Sequence, residues 1–179
     1  RIVMNPQKLK KLKRQLKKSR PVSVTNNYIT RLERYRELFN QNSTIIFLIN
    51  QVLESNRLIQ QKLLPQQLPE LELPLDIQDQ IFNQIKEQYP LGDPKGDQLW
   101  EKLIAELPKL DKLLRSYRDY LEETYGMWAY ISAPFINDLT HYLGGRPTLE
   151  IMAGNGYISQ GLRLKKQPVY ATDSLDWIA

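Results

Sequence analysis

Residues 148–173, TLEIMAGNGYISQGLRLKKQPVYATD, decide the fold of the C-terminal part of the chain. The segment Thr148 to Ala153 is an apolar run with a single acid, Glu150, and predicts a strand. Gly154-Asn155-Gly156 follows at once. Glycine takes a positive φ without a Cβ clash, so this sequence predicts a strand that enters a tight turn.

A helix and a second strand are predicted after the turn. From Tyr157 the apolar residues adopt helical spacing for about two turns, and Pro168 cannot continue a helix. Val169 to Thr172 is rich in β-branched and aromatic residues and finishes on Asp173. The order strand, glycine turn, helix, strand is that of a β-α-β unit.

Two acids in this unit indicate the class of ligand. A right-handed crossover makes the strands parallel, so the glycine turn and Asp173 share one sheet edge, where a carboxylate can hold a ribose diol. Dinucleotide sites carry a third glycine, but Ser159 stands at that position here. Glu150 would repel a pyrophosphate and favour an ammonium group. S-adenosylmethionine has both a ribose and an ammonium group.

On these residues the segment resembles the class I S-adenosylmethionine-dependent methyltransferases. Their first motif is an acid followed by glycines at alternate positions, which Glu150, Gly154 and Gly156 match, and Asp173 matches their acidic second motif. Met152 occupies the place of the family's usual first glycine. The resemblance covers roughly Tyr125 to the C-terminus, about a third of the chain.

The resemblance implies a role for each matching residue. Glu150 would hold the methionine ammonium, directly or through water, and Asp173 the ribose hydroxyls. The backbone of Gly154, Asn155 and Gly156 would line the cofactor. Trp128 and Tyr130, from the aromatic segment upstream, are expected beside it. Methyl transfer depends chiefly on positioning, so no catalytic acid or base is assigned.

The same residues also have purely structural interpretations. Gly154 and Gly156 suit any strand-to-helix turn. Glu150 would then be a solvent-facing strand residue, and Asp173 would cap the segment that follows it.

The chain before this unit is expected to be helical. The predicted parts are a basic helical arm (1–20), a helical region (21–64), a proline-rich connector (65–75), a second helical region (76–145) and the start of an incomplete Rossmann-like domain (146–179). Within them the spacing predicts a helix at 26–40 with Thr25 as its cap, a helix that Ser43 caps, and a helix at 77–89 with Asp76 as its cap. Further helices are predicted from Asp97, at 109–124 with Pro108 in the first turn, and at 134–143.

The net charge of +5 is concentrated at the N-terminus. Nine of the first 20 residues are Lys or Arg and none is acidic. Leu9, Leu12 and Leu16 have helical spacing, so the arm predicts a helix with a cationic face. That face is suited to bind nucleic-acid phosphates through residues 8–20, or an anionic membrane surface. The structural alternative is a solvated helix that lies on the body of the protein.

Composition restricts the remaining function classes. The chain has no cysteine and one histidine, His141, so no metal centre and no Ser-His-acid triad is expected. The apolar half of the helix after Ser43 is too short to span a bilayer, and no signal peptide is visible. A cytoplasmic location is expected, and homo-oligomerisation is left open.

The sequence therefore predicts a mainly α protein with a C-terminal α/β portion, in which a helical N-terminal bundle is followed by the first β-α-β unit of a Rossmann-like methyltransferase fold. The expected function is that of the N-terminal portion of an S-adenosylmethionine-dependent methyltransferase with an unidentified substrate, inactive on its own. The alternatives are a helical module that binds nucleic acid or protein, and a catalytically inactive methyltransferase-like protein.

Overall fold

The computed structural model describes the backbone of residues 22–174 and the side chains of residues 27–174. The predicted basic arm, 1–20, lies outside this part. The described chain is mainly helical, with seven helices and two short strands. In order these are α1 (Val22–Leu38), α2 (Ser43–Gln60), α3 (Ile77–Gln88), α4 (Pro94–Arg115), α5 (Tyr117–Tyr125), α6 (Ala133–Leu143), β1 (Thr148–Glu150), α7 (Tyr157–Leu164) and β2 (Val169–Ala171).

Helices α1 to α5 form a helical body around one apolar core. Helices α1, α4 and α5, with Phe39 just after α1, direct apolar and aromatic residues into this core, and the following are all buried: Tyr28, Leu32, Tyr35, Phe39, Leu110, Leu113, Leu114, Tyr117, Tyr120 and Leu121. Helix α2 buries Ile45, Ile49 and Val52 but leaves Phe47 about half exposed, so it is less enclosed than its apolar first half suggests. None of the helices in residues 22–174 is long and apolar enough to cross a membrane.

Three predicted helix starts are wrong, and one of them, Asp97, lies inside α4, which begins at Pro94. Helix α1 begins at Val22, so Thr25 lies inside it and does not cap it. Asn42, not Ser43, caps α2, because its side-chain Oδ1 accepts a hydrogen bond from the N–H of Ile45 at 2.9 Å. Neighbouring Asn and Ser residues have similar cap preferences, so the sequence could not separate them.

The predicted break at Pro108 is also wrong. Helix α4 begins after Asp93, which accepts a hydrogen bond from the Lys95 N–H at 2.8 Å, and it continues through Pro108 to Arg115. Leu107 and Leu110, on either side of the proline, are buried in the core. Tertiary packing of this apolar face outweighs the lost helical hydrogen bond.

The proline-rich connector between α2 and α3 is extended, as the sequence predicts. Its leucines Leu68, Leu71 and Leu73 pack against the core of the helical body. Its backbone is held as well, since the Leu73 N–H donates to Asp111 Oδ1 at 2.8 Å. The connector is therefore a fixed part of the body.

Strands β1 and β2 pair in parallel, with Thr148 opposite Val169 and Glu150 opposite Ala171, and α7 connects them. The described part of the chain contains only these two strands in its sheet. A second core consists of Ile131, Ile136, Leu162 and Val169 of β2, and Leu64, in the segment after α2, packs on it.

Gly161 sets the distance between α6 and α7. A Cβ on this glycine would lie 2.8 Å from two side-chain carbons of Ile136 and 3.1 Å from Leu64. Only a hydrogen fits at that position, so α6 packs directly against α7.

Candidate functional site

The loop after β1 has left-handed backbone at alternate residues. Met152, Gly154 and Gly156 have φ values of 55°, 54° and 71°. The sequence supplies glycine at two of these three positions. The Met152 side chain is 87% exposed and points away from the protein interior.

This loop is closed against the end of β2 by backbone and side-chain hydrogen bonds. The Ala153 N–H donates to the Thr172 carbonyl at 3.0 Å, and the Gly154 N–H donates to Asp173 Oδ2 at 2.6 Å. The Gly156 N–H donates back to the Ala153 carbonyl at 2.7 Å. The glycine loop and Asp173 are therefore brought together at one sheet edge, as the sequence predicts.

Glu150 holds the start of α7. Its Oε2 accepts hydrogen bonds from the Ser159 N–H, at 3.0 Å, and from the Ser159 hydroxyl. The N-cap residue of α7 is Gly156, which has no side chain to accept the first-turn N–H groups. The strand thus supplies the missing cap, and its negative charge lies at the positive end of the helix.

The glycine loop is also tied to the helical body. Asn155 Nδ2 donates to the Tyr125 and Gly126 carbonyls at 3.2 and 3.1 Å, and the Tyr157 hydroxyl donates to the Tyr125 carbonyl at 2.6 Å. A Cβ on Gly126 would lie 2.0 Å from Asn155 Nδ2. Gly126 also has φ 61° as the C-cap of α5, so both its conformation and this close approach require glycine.

Tyr125 itself is positioned from inside the helical body. Its hydroxyl donates to Oδ1 of the buried Asn56 at 2.8 Å, and the same oxygen accepts from the Tyr120 hydroxyl at 3.2 Å. Burial raises the pKa of both phenols, so they stay protonated as donors. A continuous set of hydrogen bonds therefore runs from α2 through α5 to the glycine loop.

A cavity of about 670 Å³ lies beside the loop, between the helical body and the β-α-β unit. Its floor and one side are formed by Ala153, Gly154, Asn155, Gly156, Ala171, Thr172 and Asp173. Its other walls come from α7 and from the segment Ile59 to Pro65, with Tyr125, Met127 and Ile131 completing it. This volume is within the range of small-molecule and cofactor sites.

The predicted site residues fall into two groups. Gly154, Asn155, Gly156 and Asp173 line the cavity. Glu150, Trp128 and Tyr130 are not among the described residues that line it. Trp128 is nevertheless close to the loop, since a Cβ on Gly154 would lie 4.0 Å from its Cδ1, and its side chain is 64% exposed.

Tyr130 is directed into the helical body. Its hydroxyl donates to the Gln66 carbonyl at 2.5 Å and lies 2.9 Å from the Ser55 hydroxyl, which also accepts from Tyr117. Burial raises the pKa of Tyr130 to about 12. These contacts fix the segment between α5 and α6 that precedes the β-α-β unit.

One wall of the cavity has no counterpart in the sequence prediction. The segment Ile59 to Pro65 ends α2, and Lys62 within it has φ 59°. Gln160 of α7 reaches the Lys62 carbonyl at 3.4 Å, and the Pro65 carbonyl accepts from the Ala133 N–H at 2.7 Å. The only local signal is Pro65, which cannot continue a helix. It does not show what this segment packs on.

Comparison of the chain with protein-family models, curated proteins and solved structures gives no match.

Proposed function

We propose that the chain binds S-adenosylmethionine at the glycine loop and serves methyl transfer in a Rossmann-like methyltransferase. The observation that carries the proposal is the alternation of left-handed backbone at Met152, Gly154 and Gly156 beside a cavity that ends on Asp173. The family motif has glycines at these alternate positions, and the backbone keeps that conformation even where methionine replaces the first glycine.

The residues around the loop fit this cofactor. A Cβ on Gly156 would meet no atom within 4 Å, and one on Gly154 would only just reach Trp128. Packing among the described residues therefore does not fill the space above the loop, and a ligand can approach the bare backbone closely. Met152 does not obstruct it, because its side chain is exposed and is not among the cavity-lining residues.

Asp173 can serve the loop and a ribose together. A carboxylate offers about four acceptor positions. The Gly154 N–H uses one of them, and this bond orients the carboxylate at the cavity. The ribose diol donates to the same group, which is the role that the family resemblance implies for this residue.

Glu150 acts from the base of the loop. Its Oε2 accepts hydrogen bonds from Ser159 at the start of α7. These bonds hold the negative charge of Glu150 at the base of the loop and also hold the first turn of the helix that follows the glycines. The ammonium of the cofactor is attracted to this charge through water. Trp128, beside Gly154, provides an aromatic flank, whereas Tyr130 contributes by holding the segment in place.

Bound S-adenosylmethionine supplies an electrophilic methyl group on a sulfonium. The described residues bind and orient it, and the wall formed by Ile59 to Pro65 excludes water from one side of the cavity. The methyl acceptor approaches from the open side.

Isothermal titration of S-adenosylmethionine into the chain, with NAD as the control ligand, tests the proposal. We expect heat of binding with S-adenosylmethionine only, and we expect Asp173→Ala to remove it. Glu150→Gln keeps an acceptor for Ser159 but loses the charge, so it should keep the fold and weaken binding. Equal binding of NAD, or no heat with a folded chain, would contradict the proposal.

A further inference from the structure

Five cations flank the cavity and the C-terminal end of α7: Lys62, Arg146, Arg163, Lys165 and Lys166, here called the basic strip. All five residues are exposed. Lys62 and Arg163 line the cavity, and the Gln160 contact to the Lys62 carbonyl joins α2 to α7. At the other end, the Gln167 side chain donates to the Arg146 carbonyl at 2.7 Å, which places Arg146 next to the end of α7.

None of these cations is paired with a carboxylate among the described residues. The four ion-pair contacts in that part of the chain all lie within the helical body, on Arg57, Lys109 and Arg115. The two acids of the β-α-β unit are bonded internally, Glu150 to Ser159 and Asp173 to Gly154. Both carboxylates keep their negative charge, because these donors are neutral, but among the described residues neither forms an ion pair with a cation of the strip.

Helix dipoles explain only part of this cluster. Lys62, Arg146 and Lys165 each follow the C-terminus of a helix, where a cation is favourable. Each helix end is equivalent to roughly half a negative charge, so three ends offset about one and a half of the five positive charges. With the two carboxylates of the unit also counted, a net charge of roughly +1.5 remains to attract a polyanion.

An aromatic ring adjoins the strip. Tyr142 is 77% exposed, and the Arg146 guanidinium lies over its ring, 5.6 Å from the centroid. Cations along a groove combined with an exposed aromatic side chain are the features that bind single-stranded nucleic acid. An anionic membrane would instead favour a flat surface, whereas the strip borders the mouth of a cavity.

We propose that the basic strip binds the sugar–phosphate backbone of a single-stranded nucleic acid and directs one of its nucleotides to the cavity mouth. This inference rests on the proposed function, because it names the class of methyl acceptor as nucleic acid. The backbone contacts supply affinity without sequence preference. Lys62 and Arg163 both line the cavity, so they place the strand beside the cofactor site.

The test compares two variants with an equal reduction in positive charge. One replaces Lys62, Arg163, Lys165 and Lys166 with Gln, and the other replaces Lys86, Lys95, Lys102 and Lys112, which are exposed on the helical body. Binding of a labelled single-stranded oligonucleotide is followed by fluorescence anisotropy over a series of salt concentrations. Both variants are made in the natural chain and in one whose cations from Lys8 to Lys18 are Gln, which removes binding by the arm.

We expect the strip variant to lower the slope of log affinity against log salt by about 0.7 for each phosphate that it no longer neutralises, and the control variant to leave the slope unchanged. Equal slopes in the two variants, or binding of anionic vesicles in place of the oligonucleotide, would overturn the inference. Titration of S-adenosylmethionine into the same proteins separates the two proposals. If no protein binds the cofactor the proposed function fails, while the oligonucleotide data still decide whether the strip binds nucleic acid.

Discussion

The carboxylate of Asp173 accepts a hydrogen bond from the backbone N–H of Gly154, with 2.6 Å between Oδ2 and the nitrogen. This single contact joins the end of β2 to the loop that follows β1. It places an acid and bare backbone on the same side of the cavity, which is the central feature of the proposed cofactor site.

Asp173→Ala should destabilise the chain by about 1–2 kcal/mol, because a backbone donor loses a charged acceptor. Asp173→Asn retains a side-chain oxygen that can accept from Gly154 and should cost less. Urea unfolding followed by circular dichroism measures both. Equal destabilisation in the two variants would show that the Gly154 bond does not hold the loop.

Met152→Gly should stabilise the protein by up to about 1 kcal/mol. A residue with a Cβ is strained at φ 55°, whereas glycine adopts this conformation freely, and the greater freedom of glycine in the unfolded chain offsets part of the gain. The midpoint of thermal unfolding should rise by a few degrees.

Met152→Ala is the matched control for this change. It also removes the exposed side chain but keeps a Cβ at the same positive φ, so it should bring no gain. A stabilisation shared by both variants would mean that the methionine side chain, not the backbone strain, is the source of the effect.

The centre of the site could be predicted from the sequence because its signals are local. The two glycines, Gly154 and Gly156, indicate positive φ. The two strands are close in sequence and pair in parallel, which brings Asp173 next to these glycines. Met152 gave no such signal, because methionine is uncommon in left-handed backbone. Its conformation is imposed by the loop around it.

The walls of the cavity could not be predicted in the same way. Leu64 meets Gly161, and Lys62 meets Gln160, across almost a hundred residues of chain. Such contacts depend on how the helical body packs against the β-α-β unit. The contact of Glu150 could not be predicted either. Its position before the glycines suggested contact with a ligand, whereas its carboxylate accepts a hydrogen bond from Ser159 in the next helix.

Gly161→Ala should destabilise the chain by about 1–3 kcal/mol despite the higher helix propensity of alanine. The added Cβ would lie 2.8 Å from Ile136, whose side chain is fully buried and cannot move aside. Urea unfolding of the single variant measures the cost.

A double-mutant cycle with Ile136→Ala checks the cause of that cost. Ile136→Ala alone should be destabilising, because it leaves a cavity in the second core. Gly161→Ala should cost clearly less in that background than in the natural chain. Additive costs would show that α6 and α7 do not meet at these two residues.

Tyr130→Phe should make the protein less sensitive to alkaline pH. Burial raises the pKa of Tyr130 from 10.0 to about 12, so the folded state holds this proton more tightly than the unfolded chain. The resulting stability is complete below about pH 10 and is lost as the pH rises from 10 to 12.

The Tyr130→Phe variant loses the hydrogen bonds to Gln66 and Ser55 and should be about 1 kcal/mol less stable at neutral pH. Its stability should nevertheless fall less steeply between pH 10 and 12. Urea midpoints measured across the range test this, with Tyr142→Phe, at an exposed ring, as the control that should keep the natural profile. An unchanged slope in Tyr130→Phe would mean that its buried hydroxyl does not couple folding to pH.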